Sequence, residues 1–153
     1  MVQVNNQTQL STFETLRTII KSNSTLTSKF DNNNIYNFDP ADINNKLDLL
    51  FPYIYISIPS INIQDRTLGN TSFDKEFAIN IKLILEWQAR DKMITYYNAL
   101  IYELEKAVNQ STLSSLGYDD LKIKSETPIS EIIHENPVIS ATITIELGGE
   151  VIV

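Results

Sequence analysis

Phe77–Leu100, FAINIKLILEWQARDKMITYYNAL, changes its hydrophobic period midway, and that change decides the fold class. Up to Trp87 every second residue is apolar: Phe77, Ile79, Ile81, Leu83, Leu85 and Trp87 fall on one face. Ala78, Asn80, Lys82, Ile84 and Glu86 fall on the other. A period of two belongs to a strand with one face turned to a core. After Asp91 the spacing lengthens to three or four. Met93, Tyr97, Leu100, Ile101, Leu104 and Val108 then form one stripe of a helix, with Lys92, Asn98, Glu105 and Lys106 opposite. A strand feeds directly into a helix.

Upstream, Ile54, Ile56 and Ile58 alternate with Tyr53, Tyr55 and Ser57, which predicts a second strand. Between the two strands, Pro59 to Asp74 carries Asp65, Arg66, Gly69 and Asn70 and reads as a long hairpin loop. Loops beyond about a dozen residues in compact domains are commonly functional or disordered. Asp39-Pro40 fits an N-cap followed by a first-position proline, opening a short helix with Ile43, Leu47 and Leu50 on one face before Pro52 blocks it. The asparagine-rich FDNNNIYNFDP before it favours turns. Ser11 and Glu14 fit a capping box, opening a helix that buries Phe13, Leu16, Ile19 and Ile20 and fades near Lys29. Residues 1–9 read as a loose polar arm. Downstream, DLKIKSE and VISATITIEL read as strands separated by TPISEIIHENP. The expectation is α+β: a four-stranded, mainly antiparallel sheet packed against a long helix and an N-terminal helix, in one domain spanning 1–153.

Composition narrows the function. The chain has 153 residues, enough for a real core, and 42% hydrophobic content argues against wholesale disorder. It contains no cysteine, so disulfides, thiolate metal sites and a cysteine nucleophile are excluded. A formal charge of −7 argues against a surface built to grip phosphates. MVQVNNQTQL has neither a basic region nor an apolar core, so no signal peptide is expected. Leu49 to Ile61 is too short to span a bilayer and holds Pro52 and Pro59, so a soluble intracellular product is expected. The Asn-x-Ser/Thr matches at Asn6, Asn23, Asn70 and Asn109 then carry little weight.

Chemistry is sparse. The single histidine, His134, stands beside Glu131 and Glu135, a trio that can be a divalent-ion site but reads better as a solvated loop. Asp119-Asp120 and the Asp39/Asp42 pair read as turn and cap residues. The seven tyrosines fit packing at a sheet face better than base stacking, because lysine and arginine are scattered singly. No catalytic residue, metal ligand or cofactor site is nominated, and an enzyme is not expected. In VISATITIEL one strand face is serine, threonine and glutamate, so one side of the sheet meets water or a polar partner. After Gly148-Gly149 the chain resumes as EVIV, which either ends the same strand or forms an arm that pairs with a neighbour.

The order of these segments resembles a family. An amphipathic N-terminal helix, an asparagine-rich connection, FPYIYIS, a charged loop, FAINIKLILEW, a long helix and two closing strands are similar to the tail terminator proteins of long-tailed bacteriophages and archaeal viruses. The match covers roughly the whole chain, centred on Phe51–Ile56, Phe77–Trp87 and Asp91–Asn109, through degenerate hydrophobic patterns. The resemblance implies a structural virion protein without catalysis. It implies a homo-hexameric ring, assembled in the host cytoplasm, that ends the tail tube and joins the tail to the neck of the capsid. Its partners would be further copies of itself, the tail tube protein and a neck or head-closure protein. DNA would pass through an acidic lumen unbound, and no membrane would be involved. Asp65, Arg66, Asp74, Lys75 and Glu76 become the candidate tube or neck contacts, and Val151, Ile152 and Val153 the candidate subunit arm. Two other readings stay open: another neck component (head-closure or adaptor), or a cellular α+β binding module with a ligand pocket.

Overall fold

The change of period falls at Glu86. There β3 (Ser72–Glu86) ends, a 3₁₀ turn (Trp87–Lys92) follows, and α4 (Met93–Asn109) begins. A computed structural model describes residues 6–31, 33–43, 51–65, 72–109 and 120–152, with side chains placed at 13–31, 33–41, 51–57, 78–107 and 122–146. The other elements are α1 (Asn6–Ser22), α2 (Ser24–Thr27), β1 (Ile35–Tyr36), α3 (Pro40–Ile43), β2 (Tyr53–Asp65), β4 (Asp120–Ser125), β5 (Ile129–Ile133) and β6 (Asn136–Ile152). The chain is α+β. Its six-stranded sheet is ordered β1-β2-β3-β6-β4, with β5 also on β6, and is mixed because β1 runs parallel to β2 while the other pairs are antiparallel.

Six strands replace the expected four, and both additions have local causes. β1 hides in the asparagine-rich connection, too short for any period to show. Asn34 holds it: its amide donates to the carbonyls of Lys29 and Pro52, at 2.6 and 3.1 Å, and its own carbonyl accepts from Ile54 N–H at 2.9 Å. β5 arises inside TPISEIIHENP, expected as a separator. His134 and Glu135 take positive φ (47° and 67°), which closes a two-residue hairpin with Ile133 opposite Asn136. Positive φ at both turn positions matches the right-handed strand twist, a task usually given to Asn-Gly, so the usual signal was missing. Glu131, His134 and Glu135 therefore sit in a strand and a tight turn rather than a solvated loop.

One layer of helices covers one face of the sheet. Ile54 and Ile56, Ile79, Ile81, Leu83 and Leu85, and Ala141, Ile143 and Ile145 supply the strand side of the core. Leu16, Ile19 and Ile20 of α1, Leu26 of α2, and Met93, Tyr96, Leu100, Leu104 and Ala107 of α4 supply the helical side. Trp87 is a correction: it is 38% exposed, not part of the strand face, because the backbone has already left the pleat. The Arg90 guanidinium lies 4.8 Å from its ring centroid. The α4 stripe is rotated from the expected one. Tyr96 is buried edge-on against Phe30, while Tyr97 is half-buried and donates its hydroxyl to the Glu126 carbonyl at 3.1 Å. The side chain of Val108 lies outside those described.

At the N-terminus α1 already runs from Asn6, so Ser11 is inside the helix rather than at its cap, and only residues 1–5 of the proposed polar arm lie outside the described residues. α1 stops at Ser22, not near Lys29, because Asn23 breaks it. The Asn23 side chain accepts from the N–H groups of Thr25 and Leu26 and caps α2. Asp39 and Pro40 behave as expected: Ala41 N–H donates to Asp39 Oδ1 at 3.0 Å and α3 opens at Pro40. Leu47 and Leu50 lie outside the described residues.

Candidate assembly surface

The second face of the sheet carries none of α1, α2 or α4, which all pack on the other side. Across it the register places Tyr53 by Ile84, Tyr55 by Lys82, Asn80 by Thr144, Ile84 by Ser140, Lys124 by Thr144 and Glu131 by Val138. Tyr53, Ile84 and Val138 form a small apolar cluster, flanked by Tyr36, Phe51, Tyr55 and Ile133. Four aromatic rings fan out from it: Tyr36 lies edge-on to Tyr53, Phe51 lies 5.5 Å and Tyr55 6.5 Å from it, and Phe38 packs on Tyr36. Burial holds the Tyr53 phenol well above its usual range, with Asp39 adding to the effect. The rest of the face is polar. Thr144 donates to Asn80 at 2.8 Å, and Lys124 pairs with Glu146 at 2.7 Å.

Glu131 is the most constrained charge on this face. Lys82 Nζ lies 3.1 Å from one carboxylate oxygen, and the Ser140 hydroxyl donates to the same carboxylate. Partial burial alone would raise its pKa, but the Ser140 and Lys82 hydrogen bonds and the lysine charge outweigh burial and hold it below the usual carboxylate range. A depressed folded-state pKa stabilises the fold above the unfolded value of about 4.5 and is lost as pH falls through the folded value. Unfolding free energy is therefore expected to fall in acid below about pH 4.5, and Glu131→Gln to flatten that limb. Urea titrations at several pH values check it; an unchanged acid limb in the variant would show that the pair carries no pH dependence.

Beyond Ile79 and Ile145, β2, β3 and β6 continue together, with β4 beside β6 as far as Gly148, and from Gly149 onward they form a three-stranded ribbon among the described residues. The expected Pro59–Asp74 loop is mostly strand: β2 runs to Asp65 opposite Phe73 of β3, and β3 starts at Ser72 opposite Ile152 of β6. With about 3.3 Å per residue, Ser72–Ala78 extends roughly 20 Å past the last described core position of β3. A β-bulge at Ile58–Pro59, opposite Ile79, interrupts the ladder of β2 with β3. The aliphatic phase of β2 shifts from even positions (54, 56, 58) to odd ones (61, 63), and the extra residue absorbs that shift. Proline is tolerated there because, among the described residues, no strand pairs with the outer side of β2 at that point.

The candidate contact residues separate accordingly. Asp65, Asp74, Lys75 and Glu76 lie on the ribbon strands near its tip rather than on a loop, and Arg66 lies outside the described residues. Gly148-Gly149 does not release an arm. β6 continues through both glycines, with Gly149 opposite Lys75, Glu150 opposite Asp74, Val151 opposite Phe73 and Ile152 opposite Ser72. Val151 and Ile152 thus complete the strand of their own chain, and Val153 lies outside the described residues. Deleting 150–153 is expected to lower stability by about 1–3 kcal/mol, from lost ladder hydrogen bonds. An unchanged melting temperature would contradict the pairing.

Among the described residues no group of three or more His, Asp or Glu is placed to hold a metal ion, and no helix is long and apolar enough to cross a membrane. A groove of about 170 Å³, lined by Lys29, Pro52, Leu85, Glu86, Lys92 and Tyr96 among others, is smaller than the roughly 300–1,000 Å³ of typical ligand sites. The chain matches no protein-family model, and no curated protein sequence is significantly similar to it.

Proposed function

We propose that the protein is a structural virion component whose copies form a ring, six in the family it resembles, ending the tail tube and joining tail to neck. The observation that carries this reading is the ribbon: β2, β3 and β6 stay paired out to Asp65, Ser72 and Ile152, and among the described residues no further strand borders them beyond Gly148, a shape suited to contact rather than catalysis. The polar–aromatic sheet face, on which the described helices α1, α2 and α4 do not pack, adds a second surface for a neighbour or partner. The tube and neck proteins meet the ribbon tip at Asp65, Asp74, Lys75 and Glu76. Genomic DNA passes without specific binding, because a chain of net charge −7 repels phosphate.

Two measurements test it. Light scattering on the purified protein should give six times the 17.4 kDa of the chain. Reversing the charges of Asp65 and Asp74 together should leave stability within about 0.5 kcal/mol, as for surface substitutions, while producing heads and tails that do not join. Infectious particles at normal yield from that variant would rule out the tip as the joining surface.

A further inference from the structure

We propose that neighbouring copies join edge to edge, by parallel pairing of the outer border of β2 near the ribbon tip with the outer border of β6 in the next copy. This rests on the ring reading and names the contact that closes it.

Among the described residues the two sheet borders are occupied at their base and open at the tip. On one side β1 covers β2 only at Ile54 and Tyr55, so Ile56–Asp65 has no outer strand among the described residues. On the other side β5 and β4 cover β6 from Asn136 to Gly148, and Gly149–Ile152 has no outer strand among them. A border of unpaired N–H and C=O groups fixes the chemistry of its occupant, which must be an extended strand.

Three features make that strand a second copy. First, the open stretches are level. Through β3, Asn62 is level with Gly148, Ile63 with Gly149, Gln64 with Glu150 and Asp65 with Val151. In the unsheared register, no two carboxylates of Asp65 and Glu150 oppose each other. Second, β2 and β6 are both antiparallel to β3 and so run in the same direction. A neighbour placed side by side in the same orientation offers β6 to β2 as a parallel pair. Two different borders meet, so the contact is heterologous and a rotation closes it into a ring. Third, the devices that protect edges stop before the parts that would pair, Ser60–Asp65 and Gly149–Ile152. Pro59 and the bulge lie just before Ser60, and the exposed Lys122 and Lys124 lie on β4, which ends its cover at Gly148. Ser60–Asp65 and Gly149–Ile152 contain neither proline nor lysine.

The chain has no cysteine, so introduced ones report without background. Adjacent strands lie about 4.8 Å apart, within disulfide reach. Gln64→Cys is mixed with Glu150→Cys and oxidised, then mixed in turn with cysteine variants of Gly149, Val151 and Ile152, which allows for shear on closure. The mixtures should crosslink where either variant alone does not, and the Gln64→Cys/Glu150→Cys chain should give a ladder of covalent multiples. Tyr102→Cys on α4 replaces Gln64→Cys as the control, and melting temperatures verify folding. A ring by light scattering with no crosslink at any tip pair would overturn the edge contact while leaving the ring reading in place. Crosslinking of Gln64→Cys to itself would show an isologous two-fold and overturn it too. A monomer at every concentration would remove the ring and the contact together.

Discussion

Leu100→Ala is expected to destabilise the fold by about 2–5 kcal/mol, the range for truncating a buried leucine. Leu100 is fully buried at the centre of the α4 stripe, in the cluster that joins the helices to Ile81, Leu83 and Ile143. The loss combines transfer of the removed methyl groups with a cavity that the close-packed side chains around it fill only in part. At ~2–4 °C per kcal/mol for a chain of this size, the melting temperature should drop by roughly 4–20 °C. Tyr102, 60% exposed on the same helix, is the control, and its alanine variant should stay within about 0.5 kcal/mol. Equal effects at the two positions would mean that α4 does not present the Leu100 side to the sheet.

Asn23→Ala is the second large effect, because one side chain serves two elements. Its Oδ1 caps α2 through Thr25 and Leu26, and its Nδ2 donates to Glu103 Oε1 at 3.0 Å. Glu103 is only 9% exposed, on the buried side of α4. Losing the cap costs about 1 kcal/mol, and leaving the carboxylate without its donor adds about 1–3 kcal/mol. A total near 2–4 kcal/mol is expected from denaturant unfolding. Asn23→Ser should recover only the cap share. Adding Glu103→Leu to Asn23→Ala should return the second share, because removing both partners of a buried hydrogen bond is nearly neutral. If Asn23→Ala and Asn23→Ser lose the same amount, the amide contact to Glu103 contributes nothing.

Period carried the sequence a long way. Alternation in Ile79, Ile81, Leu83 and Leu85, followed by three-to-four spacing from Met93, placed a strand and a helix and their shared core, because each period is a property of one element's geometry. The cap at Asp39-Pro40 and the polar face of VISATITIEL were legible for the same reason: a cap or a pleat is decided within a few residues. Of the proposed surface, the sequence located the charged tip residues but assigned them to a loop.

What only the tertiary structure decided is everything that depends on a partner distant in the chain. β1 has two residues and exists because β2 lies beside it. β2 continues past Pro59 because a bulge opposite Ile79 keeps its ladder with β3, and Gly148-Gly149 stays extended because it is paired with Glu76 and Lys75 of β3. Backbone hydrogen bonds to another strand outweigh the turn preference of proline and glycine, and no local pattern records them. Glu131 looked like a surface charge in sequence, yet pairs with Lys82, 49 positions away, because β3 and β5 both flank β6. Local geometry is written in neighbouring residues; strand order, register and which borders stay open are set by loop closure and packing between segments that the sequence keeps apart.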